Sequence, residues 1–149
     1  MKLSGSQILP ALQQKVWDAL NDPELLARCL PGTERLEPAG PDRYKAVVGF
    51  ALAAISGKYN GTLEFADKKP PQSLTLKIEG KGTPGFLKGE GRLTLSASAD
   101  SKQTELRYEG DAQVGGMIAA VGQRMIEVAA RKIVSQFFEK FSAELARKP

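Results

Sequence analysis

"YEGDAQVGGMIAAVGQRMIEVAARK", residues 108–132, decides how this chain folds. Tyr108, Ala112 and Val114 alternate with Glu109, Asp111 and Gln113, the two-residue period of a strand with one apolar and one wet face. Gly115-Gly116 ends the alternation, and beyond it the period lengthens to that of a helix. From Met117 to about Leu145 the spacing predicts one long amphipathic helix, with Ile118, Val121, Met125, Ala129, Ile133, Phe137, Phe141 and Leu145 on its apolar face. Gln123, Arg124, Glu127, Arg131, Gln136, Glu139 and Lys140 lie opposite. The first turns are slim, with Ala119, Ala120 and Gly122, and bulk returns only from Ile133 onward. Small residues directly after a last strand leave room for something other than side chains.

Upstream, "KLSGSQILP" reads as a short strand ended by Pro10, and Leu12, Val16, Ala19 and Leu20 fall at helical spacing with Trp17 at their flank. In "NDPELLARCLPG", Asp22 is a helix cap, Pro23 takes the first helical position and Pro31-Gly32 ends the segment, so a second short helix follows the first. Five alternating segments come next, bounded by "EPAGPD", "ISGK", "DKKPPQS", "GTPG" and "SADSK". Their apolar positions are Tyr44, Ala46, Val48, Phe50 and Leu52; Tyr59, Leu63 and Phe65; Leu74, Leu76 and Ile78; Leu87, Leu93 and Leu95; and Leu106 to Val114. Connections this short predict an antiparallel meander. One sheet and one long helix bury their apolar faces only against each other, which predicts a single α+β domain over 1–149. In this helix-grip fold a curved antiparallel sheet wraps a long C-terminal helix and two short helices follow strand one.

The composition removes whole classes of chemistry. The chain of 149 residues contains no histidine, which excludes Ser-His-Asp and Cys-His catalysis, histidine-ligated zinc and the commonest general base. Cys29 is the single cysteine and reads as a small buried hydrophobe. Net charge is +4, but the 21 basic and 17 acidic residues are interspersed, and no basic stripe carries interleaved aromatics, so nucleic acid is not an expected partner. No apolar run reaches the length of a signal peptide or membrane span, and a cytoplasmic protein is the expectation.

Glycine is the informative residue. Of the 15 glycines, Gly61, Gly80, Gly89, Gly91 and Gly110 share the inward face of the strands by parity. A glycine inside a strand marks a bend or a close approach. Together with the slim start of the helix, these positions also predict a preformed apolar cavity under its N-terminal half. "GKGTPG", Gly80 to Gly85, spells a dinucleotide-binding motif but joins two strands, with Pro84 in its middle, so no helix N-terminus awaits a phosphate. "SGK" at Ser56 to Lys58 lacks the upstream glycine of a phosphate-binding loop, since Leu52 stands there. Glu105, Glu109 and Asp111, with Arg107 among them, fall on the polar strand face and read as a solvated edge rather than a catalytic pair. In "GTPGFLKG", Phe86 sits between Lys81 and Lys88, an apolar tip among cations suited to a membrane surface, a partner or a lid.

Three stretches carry a resemblance: "VWDALNDPELLARCLPGTERL" (16–36), "GKGTPGFLKGEGRLTL" (80–95) and "YEGDAQVGGMIAAVGQRMIEVAARK" (108–132). Together they resemble the G-subunit family of carbon monoxide dehydrogenase, a branch of the SRPBCC superfamily that includes START domains and the birch-pollen allergen. The resemblance implies a helix-grip fold with a hydrophobic cavity and no catalytic machinery. It further implies an accessory role beside a carbon monoxide dehydrogenase-type molybdenum hydroxylase, in membrane recruitment or in handling a lipophilic quinone, menaquinone or ubiquinone. Some members continue into a hydrophobic tail, whereas this sequence reads "ELARKP" at 144–149.

The candidate ligand contacts are Phe50, Tyr59, Phe65, Leu76, Ile78, Leu93 and Tyr108 on the sheet, with Met117, Ile118, Val121, Gly122 and Met125 on the helix. Phe86, Lys81 and Lys88 are the candidates for contact with a partner or with the inner face of the cell membrane. Two other functions compete with a carrier: an adaptor whose cavity is packed, and a small enzyme acting on a bound hydrophobe through carboxylate or tyrosine chemistry.

Overall fold

The computed structural model describes residues 1–51, 56–100 and 102–147. Leu52 and the Ile55 end of the "ISGK" turn lie outside the described residues. Strand β1 spans Lys2–Leu9 and is followed by helices α1, Gln13–Leu20, and α2, Pro23–Cys29. The second helix starts where its sequence dictates. The Asp22 carboxylate accepts the backbone N–H groups of Glu24 (3.0 Å) and Leu25 (3.4 Å), and Pro23, which has no N–H to satisfy, takes the first turn.

Six strands follow: β2 Thr33–Pro38, β3 Arg43–Phe50, β4 Gly57–Lys69, β5 Ser73–Gly82, β6 Gly85–Ala97 and β7 Thr104–Gly115. All pair antiparallel in one seven-stranded sheet of order β1-β7-β6-β5-β4-β3-β2. Strand β2 is one more than the sequence pattern predicts. It is an edge strand with a register shift between Thr33 and Arg35, and that shift breaks the alternation by which a strand is recognised.

The long helix is also corrected. Met117–Val121 form a short 3-10 helix, and α3 begins only at Gln123 and runs to Ala146. Gly116 (φ +81°) and Gly122 (φ +96°) flank the 3-10 turn in backbone conformations that side chains disfavour, so Gly122 is a break between two helices rather than a slim step within one. The break separates the 3-10 turn from α3, whose own stripe keeps Ala129, Ile133, Phe137, Phe141 and Leu145 inward. Ile126 and Phe138 are buried with Phe141 and Leu145, while Val121 and Met125 turn outward.

The closed end of the grip is a conventional core. Leu9, Leu74, Leu95, Leu106 and Phe65 on the sheet pack with Val16, Trp17, Leu20 and Leu26 of the short helices and with Phe138, Phe141 and Leu145 of α3. Burying each large side chain contributes about 1.5–3 kcal/mol. Side chains tie the layers together. The buried Thr104 hydroxyl donates to the Ala11 carbonyl (2.8 Å), the Gln13 amide donates to the carbonyls of Pro71 and Leu95 (3.1 Å each), and Lys15 donates to the Leu145 carbonyl at the end of α3 (2.9 Å). Arg28 of α2 meets Glu144 of α3 at 3.0 Å, and this hydrogen bond holds the Glu144 carboxyl below its ordinary value. A depressed carboxyl stabilises the fold above its unfolded pKa, and that contribution disappears as pH falls through the lower, folded value. Glu144→Gln is therefore expected to lower the melting temperature at neutral and alkaline pH and to leave it unchanged at the acid end, so that the acid limb of the curve flattens.

Candidate functional site between the sheet and the N-terminal half of the long helix

Strand register turns the inward glycines into a band. Gly61 of β4 pairs with Gly80 of β5, Gly91 of β6 pairs with Gly110 of β7, and Gly89 lies two residues from Gly91 on the same face. Gly110 in turn pairs with Leu3 of β1, close to Gly5, so the band crosses the sheet diagonally from β4 to β1. At about 4.8 Å per strand it is roughly 19 Å long.

The strand glycines serve different purposes. A β-carbon at Gly61 would collide with the Glu79 carbonyl, and one at Gly82 with the Lys58 carbonyl, so these two permit close approach of neighbouring backbones. At Gly80 the situation is reversed: a β-carbon there would have no non-neighbouring heavy atom within 4 Å. Gly91 is nearly as free, its nearest neighbour being the Glu109 carbonyl oxygen at 3.5 Å. Close backbone approach and local open space therefore fall at different glycines. Gly5, which no sequence pattern marks, accommodates the ring of Tyr108, which would overlap any β-carbon there.

Between the glycine band and α3 the apolar side chains are only partly buried. Leu76, Ile78, Leu93 and Tyr108 on the sheet and Ala129, Ile133, Val134 and Phe137 on α3 are partly buried, in contrast to the fully buried Leu9, Leu106 and Phe141 at the closed end. Helix α3 comes nearest the sheet at β1 and rests on α1 and α2. At the far end Ile118 and Tyr59 form a second small cluster with Phe50, Val114, Ala129 and Ile133. The backbone N–H of Ile118 donates to the Pro84 carbonyl (2.8 Å), which seats the 3-10 turn on the β5–β6 hairpin. Burial raises the Tyr59 phenol above its ordinary pKa.

Among the sequence candidates, Phe50, Tyr59, Phe65, Leu76, Ile78, Leu93, Tyr108 and Ile118 all take inward positions, with Phe65 inside the closed core. Met117 (66% exposed), Met125 (51%) and Val121 (39%) do not join that wall, nor does the exposed Gly122. Met117 and Val121 belong to the separate 3-10 turn before the break, and Met125 lies in the first turn of α3, which is exposed from Gln123 to Met125. Ile126, Ala129, Ile133 and Val134 take their places; Ala129 and Ile133 belong to the predicted stripe, whereas Ile126 and Val134 do not.

Phe86, Lys81 and Lys88 occupy the outer face. Phe86 pairs across strands with Lys81 and with Gly115, and its ring lies over Gly115 where a side chain would otherwise stand. It is therefore not a lid over the inner face. Four outer carboxylates are engaged by cations: Glu105 with Arg107 (2.6 Å), Glu79 with Lys88 (3.7 Å), Glu64 with Arg43 (4.0 Å) and Asp111 with the N-terminal ammonium (3.2 Å). Among the described residues no group of three or more His, Cys, Asp or Glu side chains could hold a metal ion. "GKGTPG" forms a hairpin in which Gly82 pairs with Gly85, far from any phosphate-binding geometry.

Known proteins share this architecture. A conserved protein from Geobacillus kaustophilus has a crystal structure that matches with a TM-score of 0.95 at 40% identity, over 98% of this chain and 95% of that one. A START superfamily protein from Mycobacterium smegmatis matches with a TM-score of 0.78 at 12% identity, over 97% of this chain and 96% of that one. The Zhui aromatase/cyclase from Streptomyces sp. R1128 matches with a TM-score of 0.73 at 14% identity, over 99% of this chain and 94% of that one. The last two likenesses establish the START-like fold alone. None of the curated proteins matches the chain. The family model for CoxG, the G-subunit of carbon monoxide dehydrogenase, matches residues 5–146, which takes in most of β1, every other strand of the sheet and the whole of α3. The chain belongs to the CoxG family of carbon monoxide dehydrogenase subunits.

Proposed function

We propose that this protein is a non-catalytic carrier that holds a lipophilic molecule between the N-terminal half of α3 and the glycine band. We take the ligand to be an isoprenoid quinone, menaquinone or ubiquinone, and the protein served to be a carbon monoxide dehydrogenase-type molybdenum hydroxylase. The open space above Gly80, on an inward face walled by partly buried apolar side chains, is the observation that carries this reading. Ligand sites favour preformed, mostly apolar concavities. The family supplies the partner. A catalyst would need a group poised for proton transfer, and the inward positions of β3–β7 named above offer tyrosines and no carboxylate, lysine or histidine.

Organic extraction of protein purified under native conditions, followed by mass spectrometry, tests the proposal. A polyprenyl quinone near one equivalent supports it, as does saturable uptake of an added short-chain quinone without turnover. Protein that neither retains nor takes up a quinone contradicts it. Turnover of a lipophilic substrate that is lost in Tyr59→Phe would favour the enzyme instead.

Delivery to and from a membrane is assigned to the outer surface. Phe86 is 47% exposed beside Lys81 and Lys88, and Met117, Met125 and Val128 are exposed on the 3-10 turn and on α3. Among the described residues no helix is long and apolar enough to cross a membrane, and the contact assigned to this surface is peripheral. Phe86→Asp is expected to weaken sedimentation with anionic vesicles while changing stability by no more than about 1 kcal/mol. Unfolding of that variant would show that the Phe86 ring over Gly115 is part of the core.

A further inference from the structure

Beside the β1 end of the glycine band, between the sheet edge and α3, lies a recess of about 130 Å³ lined by Leu3, Gln7, Tyr108, Arg131, Val134 and Ser135. Every polar group in it can donate a hydrogen bond: the Arg131 guanidinium, the Tyr108 and Ser135 hydroxyls and the Gln7 amide. No carboxylate lines it, and among the described residues Arg131 has no acidic partner.

Size narrows the occupant further. A cavity of roughly 150 Å³ accepts benzene, so this recess is scaled to one six-membered ring. Tyr108 contributes a flat wall that is already fixed, because its ring covers Gly5 and stacks on Phe138 with centroids 5.7 Å apart. The hydroxyl at its tip is thereby fixed over Gly5.

We infer that this recess is the headgroup site of the carrier. It takes a single ring bearing carbonyl or other acceptor oxygens, which accept hydrogen bonds from Arg131 and Tyr108, while the apolar remainder of the ligand runs inward along Gly110, Gly91 and Gly89 toward Gly80. This inference rests on the carrier reading and adds to it the orientation of the ligand and the residues that select its polar end. The register supports the path, since Leu3 of the recess pairs directly with Gly110 of the band.

Two substitutions test it with two probes, a short-chain ubiquinone and a saturated isoprenoid hydrocarbon lacking any oxygen. Tyr108→Phe keeps the ring over Gly5 and removes only the donor, and Arg131→Leu changes an exposed side chain, so neither threatens the fold. Loss of a hydrogen bond to an acceptor, charged in the Arg131 case, is expected to weaken quinone binding roughly three- to tenfold for Tyr108→Phe and roughly tenfold or more for Arg131→Leu. Hydrocarbon binding should be unchanged in both variants. Quinone affinities equal to wild type in both variants would overturn the headgroup assignment and leave the carrier reading intact. Wild-type protein that binds neither probe would overturn both, and parallel weakening of both probes would overturn the headgroup assignment by showing that the substitutions deform the cavity rather than remove a polar contact.

Discussion

Gly80→Leu is expected to abolish binding of a lipophilic quinone while leaving the protein at least as stable as wild type. A glycine in a strand interior costs roughly 0.5–1 kcal/mol relative to alanine, and the backbone at Gly80 is not in the left-handed region, so a side chain restores that loss without strain. The new side chain projects into space where no non-neighbouring atom lies within 4 Å of its first carbon, flanked by Ile78 on the same strand. A gain of about 2–4 °C in melting temperature is the corresponding expectation for a chain of this size. Ligand and side chain then compete for one volume. Overpacking of about 1–3 kcal/mol translates into roughly a 5- to 150-fold loss of affinity. Calorimetry of unfolding and of quinone binding on the same sample reads both effects. A drop in melting temperature with no binding to lose in the wild type would mean that the gap is closed by side chains and that the adaptor reading is correct.

Gly61→Ala is expected to have the opposite profile, although Gly61 is the direct cross-strand partner of Gly80. Its β-carbon would run into the Glu79 carbonyl of the adjacent strand, a rigid backbone atom in the middle of the sheet that cannot move aside alone. Relief requires the β4–β5 ladder to part, at an expected cost of about 3 kcal/mol, the upper part of the range for single substitutions. Chemical denaturation should show a lowered midpoint with an unchanged slope. Stability within about 1 kcal/mol of wild type would contradict the close backbone approach and, with it, the division of the glycines into those that bend the sheet and those that leave it open.

Much of this arrangement is legible in residue order. The alternation from Tyr44 to Val114 tells which residues face inward, and the strand register agrees with that parity for all five predicted inward glycines. Asp22-Pro23 marks the start of α2 correctly because a cap is local chemistry. Features that depend on partners distant in sequence are not readable in this way. Strand β2 escapes because its shifted register has no fixed period, and the break at Gly122 escapes because a glycine between apolar residues fits a continuous helix equally well. The break takes Met117 and Val121 out of the helical stripe, and both are exposed, as is Met125 in the first turn of α3. The difference between Gly61 and Gly80 is likewise invisible, since it depends on the opposite backbone rather than on either residue. Nothing in the sequence marks the recess at β1, which exists only because β1 and α3 meet at the sheet edge.

The central claim is that an apolar ligand lies on the glycine band, and backbone amide NMR of the isotopically labelled protein during titration with a short-chain ubiquinone tests it most directly. The account predicts saturable shifts at the amides of Gly80, Gly89, Gly91 and Gly110, accompanied by Ala129 and Ile133 of α3, with Leu95 and Leu106 of the closed core unmoved. Shifts confined to Lys81, Phe86 and Lys88 on the outer face, or no saturable shifts at all, would contradict it.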